Sequence, residues 1–313
     1  MSPNTIDTEA EAPARPVQQV GDRVFANVAL AAGVLILVVL AGVAVFLIAE
    51  AAPAVVAPAS ELPGGHSLFA YIAPLIFGTI LSAALALIVA TPLAVAVALF
   101  ITHFAPPRLA QTLGYLVDLL AAVPSLIYGL WGASVLGPAS VGLSTWLNEW
   151  FGWLPFFAGP VSATGRTMLT AGLVLAVMIL PIITAVTREV FVQTPRGQIE
   201  AALALGATRW EVVRTTVLPF GLSGYISGAM LGLGRALGET IALLIILRGT
   251  QKAFSWTLFD GGYTFASKIA SAASEFNDEY KAGAYIAAGL VLFILTFLVN
   301  SAARAAVAGR GAK

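Results

Sequence analysis

Two adjoining stretches decide how this chain is read: EAALALGATRWEVVRTTVLP, Glu200 to Pro219, and GLSGYISGAMLGLGRALGETIALLII, Gly221 to Ile246. The first is polar and rich in helix formers. The second is apolar over a membrane-spanning length, yet carries Arg235 and Glu239. A polar helical segment joined directly to such a run predicts an element outside a bilayer coupled to a change inside it.

Working outward, the 313 residues are 59% hydrophobic and only 10% charged, with a mean hydropathy of +0.91. Soluble domains run near a quarter charged, so this is an integral membrane protein. The formal net charge is zero, which argues against a nucleic-acid partner. Absence of Cys excludes disulfides, thiol catalysis and Cys metal sites. His66 and His103 have no acidic neighbour at metal-ligand spacing and read as surface histidines at helix ends, so no metal site is expected.

Residues 1–23 are polar and contain proline, and predict a disordered tail. Val24–Ile48 is the first apolar run. Ala52-Pro53-Ala54 resembles a cleavage site, but the spanning length and the long polar leader favour an uncleaved helix, with an external connector to residue 69. Ala70–Ile101 is the second run, with a kink or strong tilt expected at Thr91-Pro92. Leu109–Leu136 is the third, holding Asp118 and an interruption at Pro124-Ser125, which is tolerated at depth only inside protein or beside a water-filled path. Residues 137–167 carry Trp146, Trp150 and Trp153 and predict an interfacial loop. Met168–Val186 is the fourth run, with Pro181 expected to kink it. Gly221–Ile246 is the fifth and Ala282–Ala303 the sixth, with a polar loop from Arg248 to Lys281 and a tail over 306–313.

Six spans place both termini on one side. With that side cytoplasmic, ten of the sixteen Lys and Arg fall there (Arg15, Arg23, Arg108, Arg188, Arg196, Arg209, Arg214, Arg304, Arg310, Lys313) and five fall opposite (Arg166, Arg248, Lys252, Lys268, Lys281). Arg235 remains inside. Both termini and the 188–219 segment are therefore expected in the cytoplasm.

Within that segment, the Ala/Leu run from Glu200 to Leu205 predicts a helix and Gly206 a bend. Thr208 is placed to cap a second short helix, with Glu211 completing a capping box, and Pro219 ends it. Local physics leaves two readings, an ordinary interhelical loop or a compact knob that a partner grips. Inside the fifth run, Arg235 and Glu239 stand four apart, on one face of a continuous helix. Such a pair either holds helices together or lines a path. A guanidinium fork suits an oxyanion, and a carboxylate that takes the guanidinium back would let the anion leave. Thr240 and Ser125 are hydroxyl candidates along the same path, or satisfied helix hydroxyls. Gly224, Gly228 and Gly232, at intervals of four, predict a close-packing face.

Glu200–Pro219 resembles the EAA loop of ABC-importer permeases, with Glu200, Ala201, Ala202, Gly206, Leu218 and Pro219 at the matching positions. More narrowly, Leu119–Gly132 (LLAAVPSLIYGLWG), Arg209-Trp210-Glu211 and Gly232–Leu243 (GLGRALGETIAL) are similar to the PstC-type permeases of phosphate-specific importers, a resemblance covering about residues 70–305. It departs at Asp118, where Glu is expected. The resemblance implies an all-α polytopic membrane protein of six transmembrane helices with type I ABC-importer permease architecture, in a bacterial plasma (inner) membrane. It implies that Glu200–Pro219 couples to an ATPase, and that Arg235, Glu239, Thr240, Ser125 and Asp118 belong to a phosphate path. The implied partners are a second, PstA-like permease, a PstB-like ATPase dimer and a PstS-like extracytoplasmic phosphate-binding protein. No GxxxxGK[ST] motif exists in the chain, so ATP and Mg are expected on the ATPase subunit and no cofactor on this one. Two alternatives stand beside this reading: a permease of the same architecture for sulfate or molybdate, and an ATP-independent secondary transporter, which broken spans suit equally but a coupling loop does not.

Overall fold

The computed structural model describes residues 20–247, 256–276 and 278–311, with side chains to residue 305. Expectations resting on residues 1–19 and on Arg248, Lys252 and Lys313 lie outside the described residues. The chain divides into two units, residues 1–49 and 50–313. In the first, the part of α1 (Val20–Val56) that reaches Ala49 has no buried residue, and its apolar side chains are exposed on every face, as suits a helix bathed in lipid. It starts at Val20, ahead of the expected Val24, with Asp22 complementing the dipole in its first turn.

The second unit is built of helices and connecting loops, with no strand among its described residues. Helix α1 does not stop at the expected connector but runs through Pro53 to Val56. Packing overrides the proline there: Ala54 is fully buried, and a Cβ on Gly283 would meet its Cβ at 3.2 Å. Helix α2 (Leu68–Leu99) opens on a Ser67 cap and continues unbroken past Pro92. A turn at Phe100–Phe104 leads to α3 (Pro107–Ala121). After a break, α4 (Ser125–Trp131) passes through a wide turn at 132–136 into α5 (Gly137–Phe151). Helix α6 (Met168–Val192) is continuous through Pro181. Then come α7 (Arg196–Ala204), α8 (Arg209–Val212), α9 (Leu218–Phe220), α10 (Leu222–Leu237), α11 (Ile241–Ile246), α12 (Phe265–Ser271) and α13 (Glu279–Gly311).

Among the described residues five helices are long and apolar enough to cross a membrane, and the pair Arg209–Phe220 and Leu222–Leu237, bent by 65°, supplies a sixth. The third span is corrected. It is not Leu109–Leu136 but Ser125–Phe151, which takes in residues expected as a loop. The chain breaks at Ala122–Pro124 because Pro124 lacks the donor that would carry α3 onward. The sixth span begins at Glu279 and its helix continues through the expected tail to Gly311.

The core is built on α6. On α2, Ala86, Ala90, Ala94 and Ala98 form a fully buried stripe that lets α2 and α6 approach closely. The glycine row of α10 packs on the same helix: Gly224 faces Val190, Gly228 faces Ile183 and Val186, and Gly232 faces Ile179 and Ile183. The numbers run in opposite senses, so α10 and α6 are antiparallel.

Candidate translocation site

Two helices that each begin at an interruption, α4 and α11, pack against each other. A Cβ on Gly129 would lie 2.7 Å from the Ala242 Cα, and one on Gly132 would strike Val174 and Ile246. These pairs rise together in number, so α4 and α11 run parallel in near backbone contact, and their starting breaks, Ala122–Pro124 and Gly238–Thr240, lie within about one helical turn of each other. The first break is stitched by the Tyr128 hydroxyl, which donates to the Leu120 carbonyl at 2.9 Å.

The second break changes the geometry expected of the charged pair. Helix α10 ends at Leu237, so Arg235 and Glu239 do not share a continuous helical face. Glu239 is buried at 8% exposure, and its carboxylate accepts the Ala242 N–H at 3.1 Å, capping α11. Arg235 is exposed in the last turn of α10, close enough to Tyr128 for its charge to act on the hydroxyl. No ion pair joins the two: among the described residues the ion pairs are Arg188–Asp118 and Lys281–Asp278. Thr240 donates to the Gly238 carbonyl at 3.1 Å within the break. Ser125 opens α4, one turn before Tyr128 and Gly129. The structure thus gathers Arg235, Glu239, Thr240 and Ser125 around paired breaks.

Asp118 stands apart. It accepts from Arg188 at 3.4 Å, tying α3 to the C-terminal part of α6. The slot for that guanidinium is Gly114, where a Cβ would collide with it. Neither Arg188 nor Gly114 stood out in the sequence, since nothing local links Asp118, or Gly114 one turn before it, to an arginine 70 positions away. Tyr128 and Gly129 were quoted in the motif, but their roles as stitch and contact point emerge only from packing.

The polar element beyond Gly221 folds as two short helices around a sharp turn. Gly206, at φ +86°, closes α7: its N–H reaches Leu203 at 2.9 Å, while Ala207 N–H reaches Ala202 at 3.1 Å. The capping box at α8 is complete, with the Glu211 carboxylate accepting the Thr208 N–H at 2.7 Å and its hydroxyl at 2.8 Å. Those bonds hold the Glu211 carboxyl below its ordinary range. Glu200 and Ala201 are exposed and Ala202 half-buried. Leu205 is 90% and Trp210 60% exposed, so the tip of this knob offers apolar side chains to a partner. Leu218 and Pro219 sit in α9, at the elbow into α10.

An all-helical membrane bundle with interrupted helices around an open guanidinium, joined to an exposed helical knob, is built as a transport permease. The model of the binding-protein-dependent transport system inner membrane component family matches residues 90–309. The phosphate transport system permease protein PstC 2 of Mycobacterium tuberculosis is 53% identical over 306 residues, covering 95% of this chain and 94% of that protein. The corresponding PstC of Mycobacterium leprae is 58% identical over 252 residues, 80% of this chain and 79% of its own. A chain of the MetNI methionine ABC transporter in an inward-facing form shares the fold at a TM-score of 0.51 and 18% identity, over 75% of this chain and 95% of that one. This chain belongs to the binding-protein-dependent transport system inner membrane component family and, within it, to the PstC permeases. It is a transport subunit and not an enzyme.

Proposed function

We propose that this chain forms half of the translocation path of an ATP-driven inorganic phosphate importer. The observation that carries the reading is the continuity of one segment: the exposed α7–α8 knob leads through Leu218-Pro219 and the 65° elbow into α10, the helix that carries Arg235 in its last turn. Force applied at Glu200–Pro219 by a PstB-like ATPase dimer passes the elbow and reaches the anion-binding group along α10. A PstA-like permease supplies the other half of the path, and a PstS-like protein delivers phosphate from outside. ATP and Mg belong to the ATPase, and both termini of this chain face the cytoplasm.

Arg235 holds phosphate with its planar donor fork. Glu239 caps α11 while Arg235 is open to the anion. When the Gly238–Thr240 break rotates, Glu239 leaves the Ala242 N–H, takes the guanidinium and releases the anion. Thr240 and Ser125 stand at these paired breaks as hydroxyl donors, whereas Asp118, engaged by Arg188, steadies α3 from outside the path.

The test is uptake of radiolabelled phosphate at low external concentration by cells lacking the chain and cells given it back, with sulfate and molybdate as competitors and ATP depletion as control. ATP-dependent phosphate uptake, restored and not competed, is the expected result. Restored uptake of another oxyanion discards the substrate, and uptake surviving ATP depletion discards the coupling.

A further inference from the structure

A second arginine–carboxylate set stands in a cavity that the path described above does not use. The loop 158–166, the loop 257–261 and the start of α5 line an open cavity of about 860 Å³, with Arg166 and Asp260 on its wall together with Ser162 and Thr164. Ala133 and Pro138 line it too. They belong to the helical run that begins at Ser125, so the cavity sits about 12 Å farther along that run than the Arg235 site, at 1.5 Å per residue. At Gly132, between the two, Val174 and Ile246 close on the helix.

The frame is fixed. Backbone bonds clamp the two loops together: Met168 N–H to Asp260 O at 2.9 Å, Leu169 N–H to Leu258 O at 2.9 Å, and Leu258 N–H to Phe156 O at 2.8 Å. The Asn148 amide donates to Phe157 O at 2.8 Å and Gly159 O at 3.1 Å. Gly165, at φ +63°, lies so close to the Gly137 carbonyl that a Cβ there would overlap it, which anchors the backbone of Arg166 against α5. The loop backbone that carries Arg166 is thus braced, and its guanidinium has no ion-pair partner among the described residues. Asp260 shares the cavity but turns its carboxylate to the Gly261 N–H at 2.7 Å. This repeats the arrangement at Arg235 and Glu239: a half-exposed or exposed arginine without a carboxylate, and a carboxylate tied to backbone.

We infer that this cavity is a second phosphate station, farther along the helical run from Ser125 than the Arg235 site, with Arg166 as its anion ligand and Asp260 as the group that keeps its affinity low. The inference rests on the importer reading above. A low-affinity vestibule raises the local anion concentration before passage to the Arg235 site.

The chain has no cysteine, so Ser162→Cys gives it a single thiol on the cavity wall. The complete transporter carrying this variant, in lipid nanodiscs, is treated with anionic and cationic methanethiosulfonate reagents, and labelling is read on this chain. The anionic reagent is expected to react about threefold faster than the cationic one after correction for their rates with a free thiol, because the Arg166 charge is unpaired while the Asp260 carboxylate is drawn to the Gly261 N–H. Millimolar inorganic phosphate is expected to slow labelling, with sodium chloride at equal ionic strength having no such effect. Adding Arg166→Gln abolishes the preference and the protection. Asp260→Asn, which keeps an acceptor for Gly261, lowers the phosphate concentration needed to protect, a gain that misfolding does not produce. Labelling unaffected by phosphate, or slowed equally by chloride, overturns the inference, as does protection that survives Arg166→Gln. ATP-dependent uptake by the same complex in liposomes is scored separately, so the importer reading can stand where the vestibule falls.

Discussion

Asp118 and Arg188 are 70 residues apart in the chain and meet at 3.4 Å, whereas Arg235 and Glu239 are four apart and do not pair. The difference lies in the backbone. The first two are carried by intact helices, α3 and α6, packed side by side. Between the second two the helix ends, and Glu239 spends its charge on the Ala242 N–H. The formed pair is 25% and 51% exposed, where an ion pair contributes little. The unformed pair sits at the breaks of two helices, one member buried. A pair that is always closed braces a fold, while a pair held open by a cap leaves one partner free for a ligand.

The largest consequence falls on the open member. Arg235→Gln is expected to cut phosphate uptake by at least about twentyfold, the equivalent of one charge-assisted hydrogen bond of roughly 2 kcal/mol. Membrane level and co-purification with the ATPase should be unchanged, because Arg235 braces nothing. Near-normal uptake by that variant breaks the comparison at its centre. Glu239→Gln comes next. The amide oxygen still accepts from Ala242, so α11 remains capped, but a neutral group cannot reclaim the guanidinium. Steady-state uptake should fall about tenfold, some 1.4 kcal/mol on the barrier, while phosphate binding to the complex is retained. Loss of binding together with uptake would place Glu239 in anchoring rather than release.

How much of this was legible in the sequence follows the reach of each interaction. The Thr208–Glu211 capping box and the Gly206 turn are closed within a few residues, and the sequence states them outright. The glycine row at 224, 228 and 232 announced a packing face, but only the fold names α6 as its partner. The break at Gly238 was hidden because Gly-Glu-Thr inside an apolar run reads as one more helical turn. The third span was displaced because hydropathy does not distinguish α3, an exposed-faced helix before Pro124, from the spanning helix after it. The passage of α1 through Pro53 was equally unreadable, since it depends on Ala54 meeting Gly283 from the far end of the chain.

A third expectation probes the contact that keeps the two breaks close together. Gly129→Ala brings a Cβ to 2.7 Å from the Ala242 Cα, a backbone atom that cannot swing aside. Overpacking of this kind costs about 1–3 kcal/mol. The thermal midpoint of the purified complex should drop by a few degrees and uptake should fall roughly three- to fivefold, through misplacement of α11 and of the Glu239 that caps it. Unchanged uptake would mean that the register of α4 against α11 does not position the site.

The smallest effect is expected at the closed pair. Asp118→Asn removes the charge but keeps an oxygen that can accept from Arg188, and exposed pairs contribute about 0–1 kcal/mol. Uptake should stay within about twofold of normal and the thermal midpoint within about one degree. Arg188 remains seated in the slot that Gly114 leaves open, so α3 keeps its place on α6 without the charge. Were Asp118→Asn instead to match Arg235→Gln in severity, the brace would have to be moved into the path. The carboxylate that matters for release would then be the one on α3, and Glu239 would be left as a cap alone.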